Sequence, residues 1–256
     1  MRLRVRIVQI AALVVFVAAW AIASYFKFVS QYVLPGPYSV GVTFVQMLES
    51  KGFSYFPSGI YPQLATTLTE VAGAIALATA IGLPLGFAIG MKRVVSAIYE
   101  PIVYLLYSIP GIVLYPVIYL LVGVGEPSKI LFGAFLGTWV LVINTVAGLR
   151  QVKPQYFRLS KSLSLSGWRT MSKVVLPAAA PHVISGLRLA LALSIIGVVA
   201  GEILASNKGI GYVIAAASNT FDMSLMYSAI ILVFIIGFAL IEIMRILERR
   251  FLAHAD

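Results

Sequence analysis

Runs of about 20 mostly apolar, uncharged residues, divided by short basic or turn-rich breaks, constrain this chain more than any other feature. The first covers residues 7–26 and follows Arg2, Arg4 and Arg6; others cover about 64–90, 95–122, 130–149, 183–205 and 225–247. A helix of that length spans the roughly 30 Å hydrocarbon layer of a bilayer. Inside that layer the backbone must satisfy its own hydrogen bonds, which a helix does within one segment. Six such runs predict an all-α integral membrane fold. At 61% hydrophobic and 11% charged residues the chain also departs from soluble domains, which are about 45–50% apolar and about 25% charged.

The charges that remain are placed asymmetrically. Lys27, Lys51, Lys129 and Lys208 fall on one side of the six-span path, and the other fifteen of the 19 Lys and Arg fall on the opposite side. The positive-inside rule puts that richer side, both termini and the 150–173 interruption in the cytoplasm. A net charge of +10 is thereby read as loop retention and gives no reason to expect nucleic acid. Residues 1–28 form an N-terminal span, with Tyr25 and Phe26 suited to the interfacial belt; a cleaved signal peptide ending near Ala21-Ile22-Ala23 is the rival reading. Residues 29–63 hold Pro35, Gly36, Pro37, Pro57, Gly59 and Pro62 and read as an extracytoplasmic loop with a short helix near 40–47. Residues 64–252 form a five-helix core, whose third span, carrying Pro110 and Pro116, is expected to bend or break.

Several chemistries lack their residues. There is no cysteine, and His182 and His254 are far apart, which argues against thiolate, zinc or haem sites. No Walker pattern precedes Lys161-Ser162, so no ATP hydrolysis is expected of the chain itself. No acid or histidine sits at the middle of a span, as proton-driven carriers need. Glu70 and Glu202 are expected near outer span ends, kept ionised by hydration. No internal repeat is visible, which disfavours inverted-repeat carriers.

Small residues recur every four positions at Ala74, Ala78, Gly82, Gly86 and Gly90, and again at Gly133, Gly137, Gly148, Gly197 and Gly201. Such stripes let helix backbones approach closely. Polar residues within spans are few: Tyr104, Ser108, Tyr115 and Tyr119 in the third, Asn144 in the fourth and Ser194 in the fifth. They are the candidates for a solute path, with interhelical bonding as the alternative for each.

The 150–176 segment keeps Phe157, Leu159, Leu163, Leu165 and Trp168 among serines and basic residues, which predicts a short amphipathic surface helix over 156–169. Val174 and Leu176-Pro177 follow at a fixed distance. With that spacing the chain resembles the membrane subunits of bacterial ABC importers, whose cytoplasmic signature runs Glu-Ala-Ala, three residues, Gly, nine residues, an aliphatic, one residue, Leu-Pro. The slots fall at Arg158, Leu159 and Ser160, then Ser164, then Val174; the Glu and the Gly are replaced. The resemblance extends over residues 34–37 (LPGP), 82–86 (GLPLG), 108–116 (SIPGIVLYP), 174–181 (VVLPAAAP) and 201–212 (GEILASNKGIGY). Together these look like permeases of the nitrate, sulfonate, taurine and bicarbonate importer group.

That resemblance implies the type I importer architecture and a non-catalytic subunit of a bacterial inner-membrane importer. It implies two cytoplasmic ATPases that bind ATP and Mg, an extracytoplasmic solute-binding protein, and a second permease copy, with a homodimer the usual case. Residues Arg158, Leu159, Ser160, Lys161, Ser162, Leu163, Ser164, Leu165, Ser166, Gly167, Trp168 and Arg169 would contact the ATPase, with Leu163 and Trp168 as anchors and Lys161 and Arg169 at the rim. A stand-alone channel or facilitator is the competing reading; a membrane enzyme or a scaffold is disfavoured. The resemblance favours a small anion such as nitrate, a sulfonate, taurine or bicarbonate as the solute, with pyrimidines and other aromatic solutes, taken by related importers, as the alternative.

Overall fold

The computed structural model describes residues 2–28, 30, 32–50 and 56–252; the side chains of 2–6, 157, 161, 168, 251 and 252 lie outside that description. Its elements are helical throughout: α1 (Arg2–Tyr25), α2 (Pro37–Leu48), α3 (Ile60–Gly90), α4 (Arg93–Ser108), α5 (Gly111–Val122), α6 (Glu126–Arg150), α7 (Pro154–Ser162), α8 (Gly167–Thr170), α9 (Leu176–Ala205), α10 (Ile210–Asn219) and α11 (Met223–Leu252), with a π turn at Met171–Val175 before α9. Five helices are long and apolar enough to cross a bilayer, and the α4–α5 pair, bent by 89°, brings the number to six where the two halves count as one broken span. The break falls at Ile109-Pro110, where Pro110 has extended φ and ψ and caps α5. Pro116, in contrast, stays inside α5.

Helix α9 begins earlier than the apolar pattern suggests. Pro177 sits in its first turn, where a missing N–H leaves nothing unpaired. Pro181, one turn on, is carried inside the helix, so the chain is helical from Gly167 without a loop before the span.

The chain divides into two compact units. One combines residues 1–66 and 207–234. In it Trp20 Nε1 donates to the Pro35 carbonyl at 2.9 Å, and Ser228 Oγ donates to the Val40 carbonyl at 3.0 Å. The Gly209 N–H donates to Gln63 Oε1 at 2.8 Å. Its buried apolar residues include Val40, Met47, Phe56, Ile60, Ile210 and Leu225.

The other unit, residues 67–206 and 235–256, is built around α6. Its approach to α3 and α9 is as close as backbones allow. A methyl group at Gly86 would sit 2.6 Å from Thr145 Cβ, and one at Gly197 would sit 2.8 Å from Gly133 Cα. Both distances are below any tolerated carbon contact, so these glycines are required by proximity. The expected small-residue stripe is therefore a packing face of α3 against α6.

Charge is buried in this unit as well. Glu70, Lys129 and Glu202 are buried, and Lys129 Nζ lies 2.5 Å from Glu70 Oε1 while donating to Ser206 Oγ at 2.9 Å. Thr67 Oγ1 donates to Glu202 Oε1 at 2.7 Å. The expectation that hydration sustains Glu70 and Glu202 is thus corrected. Both are 0% exposed and are held by partners on α3, α6 and α9 instead. Desolvating such ions costs several kcal/mol each, which only pairing and hydrogen bonds offset.

Lys129→Met should therefore destabilise the protein by about 3–5 kcal/mol, because it leaves buried carboxylates without a counter-charge. Thermal melting in detergent should show the loss, and adding Glu70→Gln should recover much of it. An unchanged melting temperature in Lys129→Met would show that the pair does not hold these helices.

Candidate functional site

The segment that joins α6 to α9 is anchored at both ends. Leu149 and Val152 at its start pack with Val175, Ala179 and Val183 at its finish, and Leu83, Phe87 and Met171 cover that cluster. Between these anchors the chain makes α7, whose first residue is Pro154, a favourable opening residue because its missing N–H would be unpaired there anyway.

Helix α7 ends in a reversal. Ser164 has φ 49°, and the Leu165 N–H donates to the Ser160 carbonyl at 3.0 Å. That bond across six residues, with a left-handed residue inside it, is a Schellman-type C-cap. Helix α8 then starts at Gly167. The single helix expected over 156–169 is corrected to a helix, a turn and a second short helix. The physical reason is the cluster of Ser162, Ser164, Ser166 and Gly167, all weak helix formers, around a capping turn. The slot that holds glycine in the importer signature coincides with the left-handed position, and serine occupies it here.

Exposure on this segment is uneven. Leu159 and Leu163 are 54% and 62% exposed, whereas Ser160 is buried. Arg158, Ser162, Ser164, Ser166, Gly167 and Arg169 are exposed, and Leu165 is half-buried. The Lys161 and Trp168 side chains lie outside the described residues. A cavity of about 370 Å³ separates the turn from the ends of α3 and α6, between Gly90, Leu149, Ser160 and Leu165. An exposed apolar turn on a segment tied down at both ends can transmit a push to α6 and α9 together.

The six candidate path residues do not converge. Tyr104 and Ser108 on α4 are exposed, with Ser108 Oγ donating to the Leu105 carbonyl at 2.8 Å. Tyr119 and Asn144 are half-buried, and Asn144 Nδ2 donates to the Val140 carbonyl at 2.8 Å. Tyr115 and Ser194 are enclosed. Tyr115 packs on Phe132 with ring centroids 5.0 Å apart, and Ser194 Oγ donates to the Gly133 carbonyl at 3.1 Å. The close approach of α6 and α9 at Gly133 and Gly197 leaves no opening at Ser194.

One polar site was not anticipated. Arg150, the last residue of α6, is ion-paired to Glu100 on α4, and Tyr104 and Gln151 line the same cavity of about 240 Å³. Its signal in the sequence was faint: Glu100 and Tyr104 lie four apart and so share a helix face, and Glu100 is the only acid on α4. Among the described residues no group of three or more His, Cys, Asp or Glu is placed to hold a metal.

Comparison with known proteins places this geometry in a family. Residues 78–253 match the model for the binding-protein-dependent transport system inner membrane component. The taurine transport system permease protein TauC of Escherichia coli (strain K12) is 29% identical over 94% of this chain and 87% of its own length. The nitrate import permease protein NrtB of Synechocystis sp. is 33% identical over 74% of this chain and 69% of its own. In fold, the chain resembles a subunit of the inward-facing MetNI methionine ABC transporter, with a TM-score of 0.66 over 77% of this chain and 96% of that one at 17% identity. With the family model matched over more than half its length, this chain belongs to the binding-protein-dependent transport system inner membrane components, the permease subunits of ABC importers.

Proposed function

We propose that two copies of this chain form the solute path of a bacterial inner-membrane importer for a small anion of the sulfonate, taurine, nitrate or bicarbonate kind. Two cytoplasmic ATPases would drive it and an extracytoplasmic binding protein would load it. Family membership and the names of the related permeases support this reading. In this arrangement both termini and the 150–176 segment face the cytoplasm, in line with the excess of Lys and Arg there.

The observation that carries the coupling role is the exposed turn at Leu163 and Ser164 on a segment anchored at Leu149, Val152, Val175 and Ala179. Arg158 to Arg169 supply its contacts with the ATPase, Leu159 and Leu163 as apolar anchors and Arg158 and Arg169 as rim charges. Closure of the ATPases moves this turn, and the packed α6–α9 pair follows between inward-facing and outward-facing states. ATP and Mg are bound by the partner subunits. Tyr104 and Ser108 are the path residues open in this conformation; Tyr115, Tyr119 and Asn144 would join the path as α4 and α5 move from the α6–α9 pair, whereas Ser194 lies at the crossing inside that pair.

Leu163→Asp should lower uptake and solute-stimulated ATP hydrolysis at least tenfold in the assembled complex, at unchanged membrane abundance. Unaltered turnover would remove the lever. At Ser164 a glycine should raise stability by about 1 kcal/mol, since a left-handed residue with a Cβ carries a penalty of roughly that size. Ser164→Val should lose ATPase docking, and equal docking by both variants would contradict the turn's role. The chain has no native cysteine, so single cysteines at Ser162 and Lys208 can be labelled with an impermeant maleimide. Ser162→Cys should react only from the cytoplasmic side and Lys208→Cys only from outside; the reverse pattern would invert the topology.

A further inference from the structure

The Glu100–Arg150 cavity has a chemistry that its position alone does not explain. Its walls include Val103 and Val146, which belong to a buried apolar cluster with Ile89 and Val142. Against that dry floor stand a carboxylate, a guanidinium, a phenol and an amide, from Glu100, Arg150, Tyr104 and Gln151. At about 240 Å³ the space is below the roughly 300–1,000 Å³ of drug-sized ligand sites, so it selects for a small group.

Sign decides what kind of group. A bare anion entering here meets Glu100 as well as Arg150, and the repulsion offsets the attraction. An anion that also carries an ammonium group meets a partner at each end. The Arg150 side chain is 50% exposed, and a guanidinium presents more N–H donors than one carboxylate can take, so part of its fork stays open to an incoming oxyanion. Glu100 is 19% exposed, poorly hydrated, and gains from an ammonium that replaces part of its contact with Arg150. Tyr104, one helical turn from Glu100, lines the same cavity.

We propose that Glu100 and Arg150 form a binding site for a small dipolar group, with its anionic end on Arg150 and its ammonium end on Glu100. Two sources carry that chemistry: a free amino-sulfonate solute on its way through the permease, or the head group of phosphatidylethanolamine from the surrounding leaflet. The solute source rests on the importer reading above; the lipid source does not.

The experiment uses the full chain in nanodiscs of phosphatidylglycerol alone, with radiolabelled taurine as probe and unlabelled ethanesulfonate, which lacks the ammonium, as competitor. Expected is saturable taurine binding that ethanesulfonate displaces at least tenfold less effectively than unlabelled taurine does. Glu100→Gln should weaken taurine at least tenfold and erase that preference. Arg150→Lys, which keeps the ion pair and the fold but loses the fork, should weaken it similarly. Should taurine fail to bind, the same chain in nanodiscs of equal phosphatidylglycerol and phosphatidylethanolamine decides the lipid source: selective retention of phosphatidylethanolamine by the wild type over Arg150→Lys, read by native mass spectrometry, would establish it. The proposal is overturned if neither probe binds, or if binding is indifferent to both Glu100→Gln and Arg150→Lys. Anion uptake by the assembled wild-type importer is measured separately, so a transporting complex without binding at this pair would sink the site and leave the importer reading standing.

Discussion

The structure depends on how closely α6 can approach its neighbours. Hydrocarbon offers helices no hydrophobic drive to associate, so contact area and buried polar bonds must hold them. Gly86 of α3 lies against Thr145, and Gly133 lies against Gly197, with no room for a Cβ at either crossing. Packing of that density resists continuous deformation, and a packed pair shifts as a body or not at all. The buried Lys129 ties the same helices at one end through Glu70 and Ser206. At the other end, the cluster of Leu149, Val152, Val175 and Ala179 fixes the loop to them.

A loop mounted in this way suits the coupling role proposed above. Its turn presents Leu159 and Leu163 to solvent while Ser160 is buried beneath, and the chain re-enters the membrane through a π turn at Met171–Val175 with no flexible linker. A soft connection would absorb a partner's motion, and none lies between Gly167 and α9. The departure from the importer signature at Ser164 is compatible with that geometry, because the left-handed turn persists with serine in the glycine slot.

Much of this was legible in the sequence because the bilayer imposes a coarse, strong code. Span-length apolar runs, an interruption of the third span by its prolines and the four-residue spacing of Gly82, Gly86 and Gly90 each follow from one dominant physical term. The residues that misled are those whose state depends on a partner distant in sequence. Glu70 and Glu202 read as hydrated because nothing local shows that Lys129, 59 positions from Glu70, is buried beside it. For Ser194, the bond from its hydroxyl to the Gly133 carbonyl, the interhelical alternative to a path role, is likewise a tertiary fact. Glu100 went unremarked for the same reason, since only the fold brings Arg150 to it. The helix expected over 156–169 is interrupted for a local reason: the serines around Ser164 cap and break it despite the apolar spacing.

Proximity between the turn and a nucleotide-hydrolysing partner is the most direct measure of the whole account. A photoreactive crosslinker attached at Ser166→Cys, activated in inverted native vesicles, should capture an ATPase subunit, with a yield that changes when ATP is added. Capture of lipid alone at every nucleotide state would contradict a mechanical role for this loop and, with it, the link drawn here between helix packing and transport.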